Sequence, residues 1–358
     1  MVCAMAVSVE ASLSAPLAAP AARRAYVRNA GFDATLLMAP ALAGVAASGV
    51  VLAAPWLYAF VLLADLWLLG YHHVVATYTR LAFDGASLRT NRFLAIDLLV
   101  LVIAATLVLA MTAGAWVVVS AFLYLQWFHY TRQGYGIARM YFRATPQGQR
   151  ADARDLAADL VIYLVPVYCI AARSATMGQE FLALPVRTLV LPEPVIAMLG
   201  VAAAAAVAAW LMRSARAAMC GSLDVTYTAF IASHVGIFVL GYVLIDDVNV
   251  GWLGVNVWHN FQYVLVVWMT NAKRYAGGVD PAAKLLSTIS QPGRVVAYFA
   301  TCLAITTVVY LLLDRITTLM LGGGLAVTLG LYMGINFHHY VVDALIWKRR
   351  RPAARAAA

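Results

Sequence analysis

Long apolar stretches recur along nearly the whole chain, and they constrain its fold more than any other feature. A helix needs about 20 apolar residues to cross the roughly 30 Å hydrocarbon core of a bilayer. Ten stretches approach or exceed that length: 33–51, 55–82, 92–113, 115–142, 157–173, 194–213, 223–245, 251–274, 295–313 and 323–347. The 64% hydrophobic content agrees, because soluble domains are only about half apolar.

The apolar stretches predict helices, because only helices and closed barrels satisfy their backbone polar groups inside lipid. The strict alternation of a membrane barrel is absent from the sequence. We therefore predict an all-α, polytopic integral membrane protein with about ten transmembrane helices. Residues 33–347 would form a single helical domain. A flexible cytoplasmic tail, 1–32, would precede it, and a basic cytoplasmic tail, 348–358, would follow it.

The basic residues indicate how the helices are oriented. Placing the N-terminus inside puts most of the 25 Lys and Arg residues on the cytoplasmic side, as the positive-inside rule requires. We expect both termini in the cytoplasm and a multi-pass protein of a bacterial-type inner membrane. The formal charge of +9 then marks topology, so we expect the lipid bilayer as a partner and no nucleic acid. The outer stretch 174–194 is expected to be a lid or a partially embedded loop.

All seven histidines lie inside the predicted spans: His72, His73, His129, His234, His259, His338 and His339. Ionisable side chains are costly at that depth and usually functional. His73, His129, His259 and His339 each lie 7 to 14 residues before a basic residue that ends their span. At about 1.5 Å per residue, this places them roughly 10 to 21 Å from the cytoplasmic end. Four helices running in one direction would thus present imidazole at a common depth.

Imidazoles at one depth on four helices predict a metal site. The candidate ligands are His72, His73, His129, His259, His338 and His339. Consecutive residues are about 100° apart on a helix, so one ring of each pair should face inward. The pattern leaves open which one. His234 stands alone, which is more typical of a hydrogen-bonded structural histidine than of a ligand.

Polar side chains near the histidines are candidate catalytic residues. Tyr263 follows His259 by four positions and Asp343 follows His339 by four, so each pair shares a helix face. Metal-bound histidines commonly donate their second N–H to such groups. Arg132 follows His129 by three positions. An unpaired guanidinium at that depth is costly, so we expect Arg132 to bind a carboxylate or a polar group of the substrate.

Ligation by imidazole and carboxylate suits iron, zinc or copper. We predict Fe(II) with an open position that activates O2 beside a lipophilic substrate. Zinc is less favoured because the sequence has no H-E-x-x-H motif; copper and haem remain alternatives. The predicted activity is that of an O2-dependent oxidoreductase. The alternative function is a proton-coupled transporter that uses an intramembrane His, Asp and Arg relay.

The stretch "HHYVVDALIWK", residues 338–348, and the histidines of the other three helices resemble the Brp/Blh integral-membrane β-carotene 15,15′-dioxygenase family. The resemblance covers these four helices. It implies a multi-helix membrane enzyme that cleaves carotenoid with O2 at histidine-bound iron. It further implies His73, His129, His259 and either His338 or His339 as ligands, and a carotenoid or isoprenoid substrate. The stretch "HHVVATYTRLAFD", 72–84, lacks the spacing from His to Asp expected in the family.

Overall fold

The computed structural model describes residues 25–150, 153–320 and 324–347, and in these residues the chain is nearly all helical. The expected C-terminal tail, 348–358, and residues 1–24 of the expected N-terminal tail lie outside the described residues. The first helix begins at Ala30, three residues before the predicted span. Asn29 caps it by accepting the Phe32 backbone N–H at 2.9 Å, which explains the earlier start.

Thirteen α-helices and one small hairpin make up the described residues. They are α1 (Ala30–Ala53), α2 (Tyr58–Asp65), α3 (Tyr71–Leu81), α4 (Gly85–Arg92), α5 (Leu98–Ala113), α6 (Ala115–Ala144), α7 (Leu156–Thr176), β1 (Glu180–Phe181), β2 (Leu184–Pro185), α8 (Glu193–Met219), α9 (Val225–Val239), α10 (Val248–Arg274), α11 (Lys284–Ile289), α12 (Val295–Met320) and α13 (Leu325–Ile346).

Short segments with wider or tighter turns join several of these helices. A π-helical segment, Leu66–Gly70, links α2 to α3, and another, Phe93–Asp97, links α4 to α5. A third, Leu240–Leu244, extends α9. Single 3₁₀ turns are formed at Pro55–Leu57, Gln147–Gln149 and Pro281–Ala283. Linked in this way, α2 with α3 forms one long helical rod, and α4 with α5 forms another that is kinked at Asn91.

Seven helical rods of the described residues are long and apolar enough to cross a membrane, which indicates a multi-pass membrane protein. They are α1, the α2–α3 and α4–α5 rods, α7, α8, α9 with its π-helical extension, and α12. The other three predicted spans are also helical and form α6, α10 and α13. Histidines, amides and hydroxyls make these three less apolar. Their polarity fits helices that lie inside the bundle.

The central helix is α10, which is buried along nearly its whole length. It packs against α1, α2, α3, α6 and α9. Small residues permit the crossing with α1: a Cβ on Gly254 would lie 2.9 Å from the Gly44 carbonyl oxygen. Ser48 donates to the Val250 carbonyl at 2.9 Å in the same crossing. Such close approach of small residues is how helices associate in membranes.

The stretch 174–194 contains the β-hairpin, whose turn residues Leu182 and Ala183 have φ values of 53° and 58°. Phe181 is fully buried and meets Trp252 edge-on, with ring centroids 5.4 Å apart. Asn249 Oδ1 accepts the Leu182 backbone N–H at 2.7 Å. These contacts attach the hairpin to the first turns of α10.

Candidate metal centre

Four buried histidines converge in the interior of the bundle, one each from α3, α6, α10 and α13. The His73 ring lies 4.6 Å from that of His339 and 5.6 Å from that of His259, measured between centroids. His129 lies 4.9 Å from both His259 and His339. All four rings are almost excluded from solvent. We call His73, His129, His259 and His339 the inner histidines.

The nitrogen atoms of this cluster have separations that suit a metal ion. Nε2 of His73 and Nε2 of His339 lie 3.0 Å apart. Two nitrogens that each lie about 2.1 Å from one ion, at right angles, would be about 3 Å apart. Donor atoms of His73, His129 and His259 all lie within 4.8 Å of one another, and so do those of His129, His339 and Asp343. One ion could therefore contact several of these atoms at once.

Several nitrogen atoms of the inner histidines have no hydrogen-bond partner within the described part of the chain. They are Nδ1 of His73, Nε2 of His129 and both ring nitrogens of His259. Buried polar atoms are normally paired, because an unpaired one loses its interaction with water without replacement. Coordination to a metal would satisfy one nitrogen of each ring, so the donor set fits a metal ion.

Hydroxyl groups and a carboxylate support the inner histidines. Thr77 Oγ1 lies 3.0 Å from Nδ1 of His339, which leaves Nε2 of that ring directed at the cluster. Thr77 also contacts the Tyr263 hydroxyl at 2.8 Å, and Tyr263 donates to Asp343 Oδ1 at 2.6 Å. The other oxygen, Asp343 Oδ2, lies 3.7 Å from His339 Nε2 and 3.9 Å from His129 Nε2. The structure thus places Tyr263 and Asp343 at the cluster.

The neighbouring histidine of each pair faces away from the cluster. His72 Nδ1 lies 3.1 Å from the Leu68 carbonyl oxygen, and His338 Nε2 lies 2.7 Å from the Leu94 carbonyl oxygen. The rotation of about 100° between consecutive helical residues accounts for this separation. His73 and His339 are therefore the inward members, and His338, which the family resemblance allowed as a ligand, lies outside the cluster.

His234 also lies apart from the inner histidines. Its Nε2 contacts the Ile162 carbonyl oxygen at 3.2 Å, and its ring packs against Phe238 and Trp258. We call His72, His234 and His338 the outer histidines. These contacts with Ile162, Phe238 and Trp258 are those of a packed side chain outside the cluster.

Arg132, a predicted catalytic residue, is exposed and does not reach the cluster. It donates to the Tyr163 hydroxyl on α7 and lies over the Tyr135 ring, 5.2 Å from its centroid. Three residues along a helix turn the side chain about 300°, so Arg132 is offset from His129 by about 60°. This offset directs it towards α7, and the expected catalytic role gains no support from its position.

A cavity of about 120 Å³ borders His73 and His259. Six of its lining residues are aromatic: Tyr71, Phe122, Tyr130, Trp252, Tyr332 and Tyr340. Four amide side chains also line it, those of Gln126, Asn256, Asn260 and Asn336. The turn of the hairpin contributes Leu182. The centre therefore adjoins a mainly apolar space that contains a few polar groups.

Two residues of this region, Thr77 and Asn260, were not among the sequence predictions. Thr77 follows His73 by four positions, so the spacing that identified Tyr263 and Asp343 could also have identified it. Asn260 is adjacent to His259 and gives no periodic signal.

No model of a protein family matches this chain. No curated protein and no solved structure matches it either.

Proposed function

We propose that this protein is a membrane-embedded, histidine-ligated non-haem iron enzyme that uses O2 to oxidise a lipophilic substrate. The observation that carries the proposal is the convergence of four imidazoles and one carboxylate from four helices beside an apolar-walled cavity. His73, His129, His259 and His339 would hold the ion. Asp343 would add a carboxylate oxygen or accept a hydrogen bond at the centre.

The donor set favours non-haem iron over the other expected cofactors. Imidazole with carboxylate is typical of non-haem Fe(II) sites, and such sites keep positions open for O2. A porphyrin would itself fill four coordination positions and leave two, fewer than the three imidazoles of His73, His129 and His259 whose donor atoms lie within 4.8 Å of one another. Iron, when bound, would supply the activation of O2.

The surrounding residues would orient and shield the centre. Thr77 holds the His339 ring through Nδ1, and Tyr263 holds the Asp343 carboxylate. Such partners commonly strengthen metal affinity and fix the ligating tautomer. The Tyr340 ring stacks on His129 at 4.5 Å, and the Tyr130 ring lies 4.1 Å from that of His259. These rings would exclude water while the cavity receives the substrate.

We further propose ten transmembrane helices with both termini in the cytoplasm of a bacterial-type cell. The distribution of Lys and Arg and the helical state of all ten predicted spans support this arrangement. A protein inside the bilayer would take its substrate from lipid. The resemblance to the Brp/Blh family supports a carotenoid or isoprenoid substrate.

Elemental analysis of the purified full-length protein, with an optical spectrum, tests the proposal. We expect about one equivalent of iron per chain and no Soret band. Addition of an isoprenoid substrate should then start O2 consumption that stops when a chelator removes the iron. Folded protein that binds no metal would contradict the proposal and favour the transporter.

A further inference from the structure

A buried carboxylate orients two amides that line the cavity. Asp65 accepts hydrogen bonds from the side-chain NH2 groups of Asn256, at 2.5 Å, and Asn260, at 3.5 Å. Asp65 is 4% exposed, and these amides are its side-chain partners in the described residues. A carboxylate only accepts hydrogen bonds, so both NH2 groups must face it. The carbonyl oxygens of both amides therefore point away from Asp65.

The two carbonyl oxygens have different surroundings. Asn256 Oδ1 accepts from the Tyr130 hydroxyl and, at 3.2 Å, from Gln126 Nε2. Gln126 is in turn fixed by Trp252, whose ring N–H donates to its Oε1 at 2.8 Å. Asn260 Oδ1 is buried and has no partner within the described ranges. Asn260 Oδ1 is thus a buried hydrogen-bond acceptor without a partner in the described residues, on a residue that is 1% exposed and lines the cavity.

The position of Asn260 relates this acceptor to the proposed metal centre. Asn260 directly follows His259, and both residues line the cavity together with His73. A donor group bound to Asn260 would therefore share the cavity with these two inner histidines. Most of the cavity surface is apolar, so the rest of the ligand should be lipophilic.

The cavity is too small for a whole long-chain lipid. Its volume of about 120 Å³ is well below the roughly 300–1,000 Å³ of pockets that enclose complete drug-sized ligands. It can hold one end of an isoprenoid chain, and the remainder must extend beyond it. Asn260 Oδ1 would therefore bind a polar group at the inserted end of the chain.

We infer that the cavity binds a lipophilic alcohol, with the hydroxyl group of its inserted end donating a hydrogen bond to Asn260 Oδ1. The inference rests on the proposed function, because it assigns the substrate class of the same site. A hydroxylated isoprenoid meets both requirements, a donor at the inserted end and an apolar chain behind it. Asn260 Oδ1 is already buried without a partner in the described residues, so a hydroxyl group would gain a hydrogen bond there that a hydrocarbon cannot form.

Three matched probes test the inference on the full-length protein in nanodiscs: geranylgeraniol, its methyl ether, and the hydrocarbon with hydrogen in place of the hydroxyl group. The ether can accept a hydrogen bond but cannot donate one. We expect the alcohol to bind about tenfold more tightly than either of the others. Equal Kd values for alcohol and ether would overturn the inference, as would tighter binding of the hydrocarbon.

A pair of variants tests whether Asn260 causes the preference for the alcohol. Asn260→Leu removes the acceptor at similar volume, so alcohol and hydrocarbon should bind it about equally. Asn91→Leu makes the same change on α4, outside the cavity lining, and should keep the preference. A preference that persists in Asn260→Leu would refute the assignment. If that variant does not fold, the three-probe series on the unaltered protein decides alone.

Metal content measured on the same preparations separates this inference from the proposed function. Loss of the alcohol preference in iron-loaded protein would reject the substrate class and keep the centre. A preference for the alcohol that persists in protein that binds no metal would keep the substrate class and reject the metal centre.

Discussion

The inner and outer histidines differ in what their ring nitrogens meet. Each outer histidine has one nitrogen close to a backbone carbonyl oxygen, that of Leu68, Ile162 or Leu94. The inner histidines face one another, and four of their nitrogens, in His73, His129 and His259, have no partner in the described residues. The second ring nitrogen of each outer histidine is also unpaired in the described residues. What distinguishes the inner histidines is therefore that their nitrogens converge, as the ligands of one cation would.

This comparison also separates residues that are adjacent in the chain. His72 and His73 are neighbours, as are His338 and His339. Yet His73 and His339 are inner histidines, and His72 and His338 are outer ones. The four inner rings come from four different helices, so their convergence depends on how the whole bundle packs. If the comparison is correct, substitutions at inner positions should remove metal and those at outer positions should not.

The largest expected effect is that of replacing a ligand. His259→Ala should lower the iron content from about one equivalent to less than about a tenth, because it removes a donor at the centre of the cluster. His234→Ala is the matched control, since His234 is also fully buried and aromatic-packed. It should retain the metal, and loss of iron from it would place His234 among the ligands. Elemental analysis after size-exclusion chromatography measures both variants.

Asp343→Asn should have a smaller effect. The amide preserves the size of the side chain but removes the negative charge that lies 3.7 Å from His339 and 3.9 Å from His129. We expect iron affinity to fall roughly 10- to 100-fold, as for other residues that support metal ligands. Competition with a chelator of known affinity gives the value. Asp97→Asn, at an exposed position, should leave the affinity unchanged.

Thr77→Val should have the smallest effect of the three. Valine keeps the shape of threonine but cannot form the hydrogen bonds with His339 Nδ1 and the Tyr263 hydroxyl. The freed ring should weaken iron binding about tenfold, measured by the same chelator competition. Thr79→Val removes a comparable buried contact with the Tyr298 hydroxyl but not with the cluster. Equal losses in the two variants would show that the effect is one of general packing.

Much of the candidate site could be predicted from the sequence, because it depends on distances along helices. The number of residues between each inner histidine and the next basic residue indicated a common depth. Spacings of four residues then indicated Tyr263 and Asp343. The all-α fold was predictable for a related reason, since lipid permits few alternatives for apolar spans of this length.

The orientation of individual side chains was not predictable. The π-helical segment Leu66–Gly70 lies between Asp65 and His73 and changes the rotation per residue. A period of 3.6 residues therefore cannot show which ring of the His72 and His73 pair faces inward. Arg132 shows the same limit, since an offset of about 60° from His129 was enough to direct it to Tyr163. The partner of the Asn260 side chain, Asp65, lies 195 positions away in the chain, so no local pattern identifies it.

The α13 pair offers the most direct test that inward-facing histidines bind a metal. His338 and His339 are adjacent, equally buried and on one helix, so their replacement by alanine makes the same chemical change one position apart. The measurement is the iron content per chain of the two purified, folded variants. We expect His338→Ala to keep about one equivalent and His339→Ala to lose nearly all of it. Iron retained by His339→Ala, or lost from His338→Ala alone, would contradict the proposed centre.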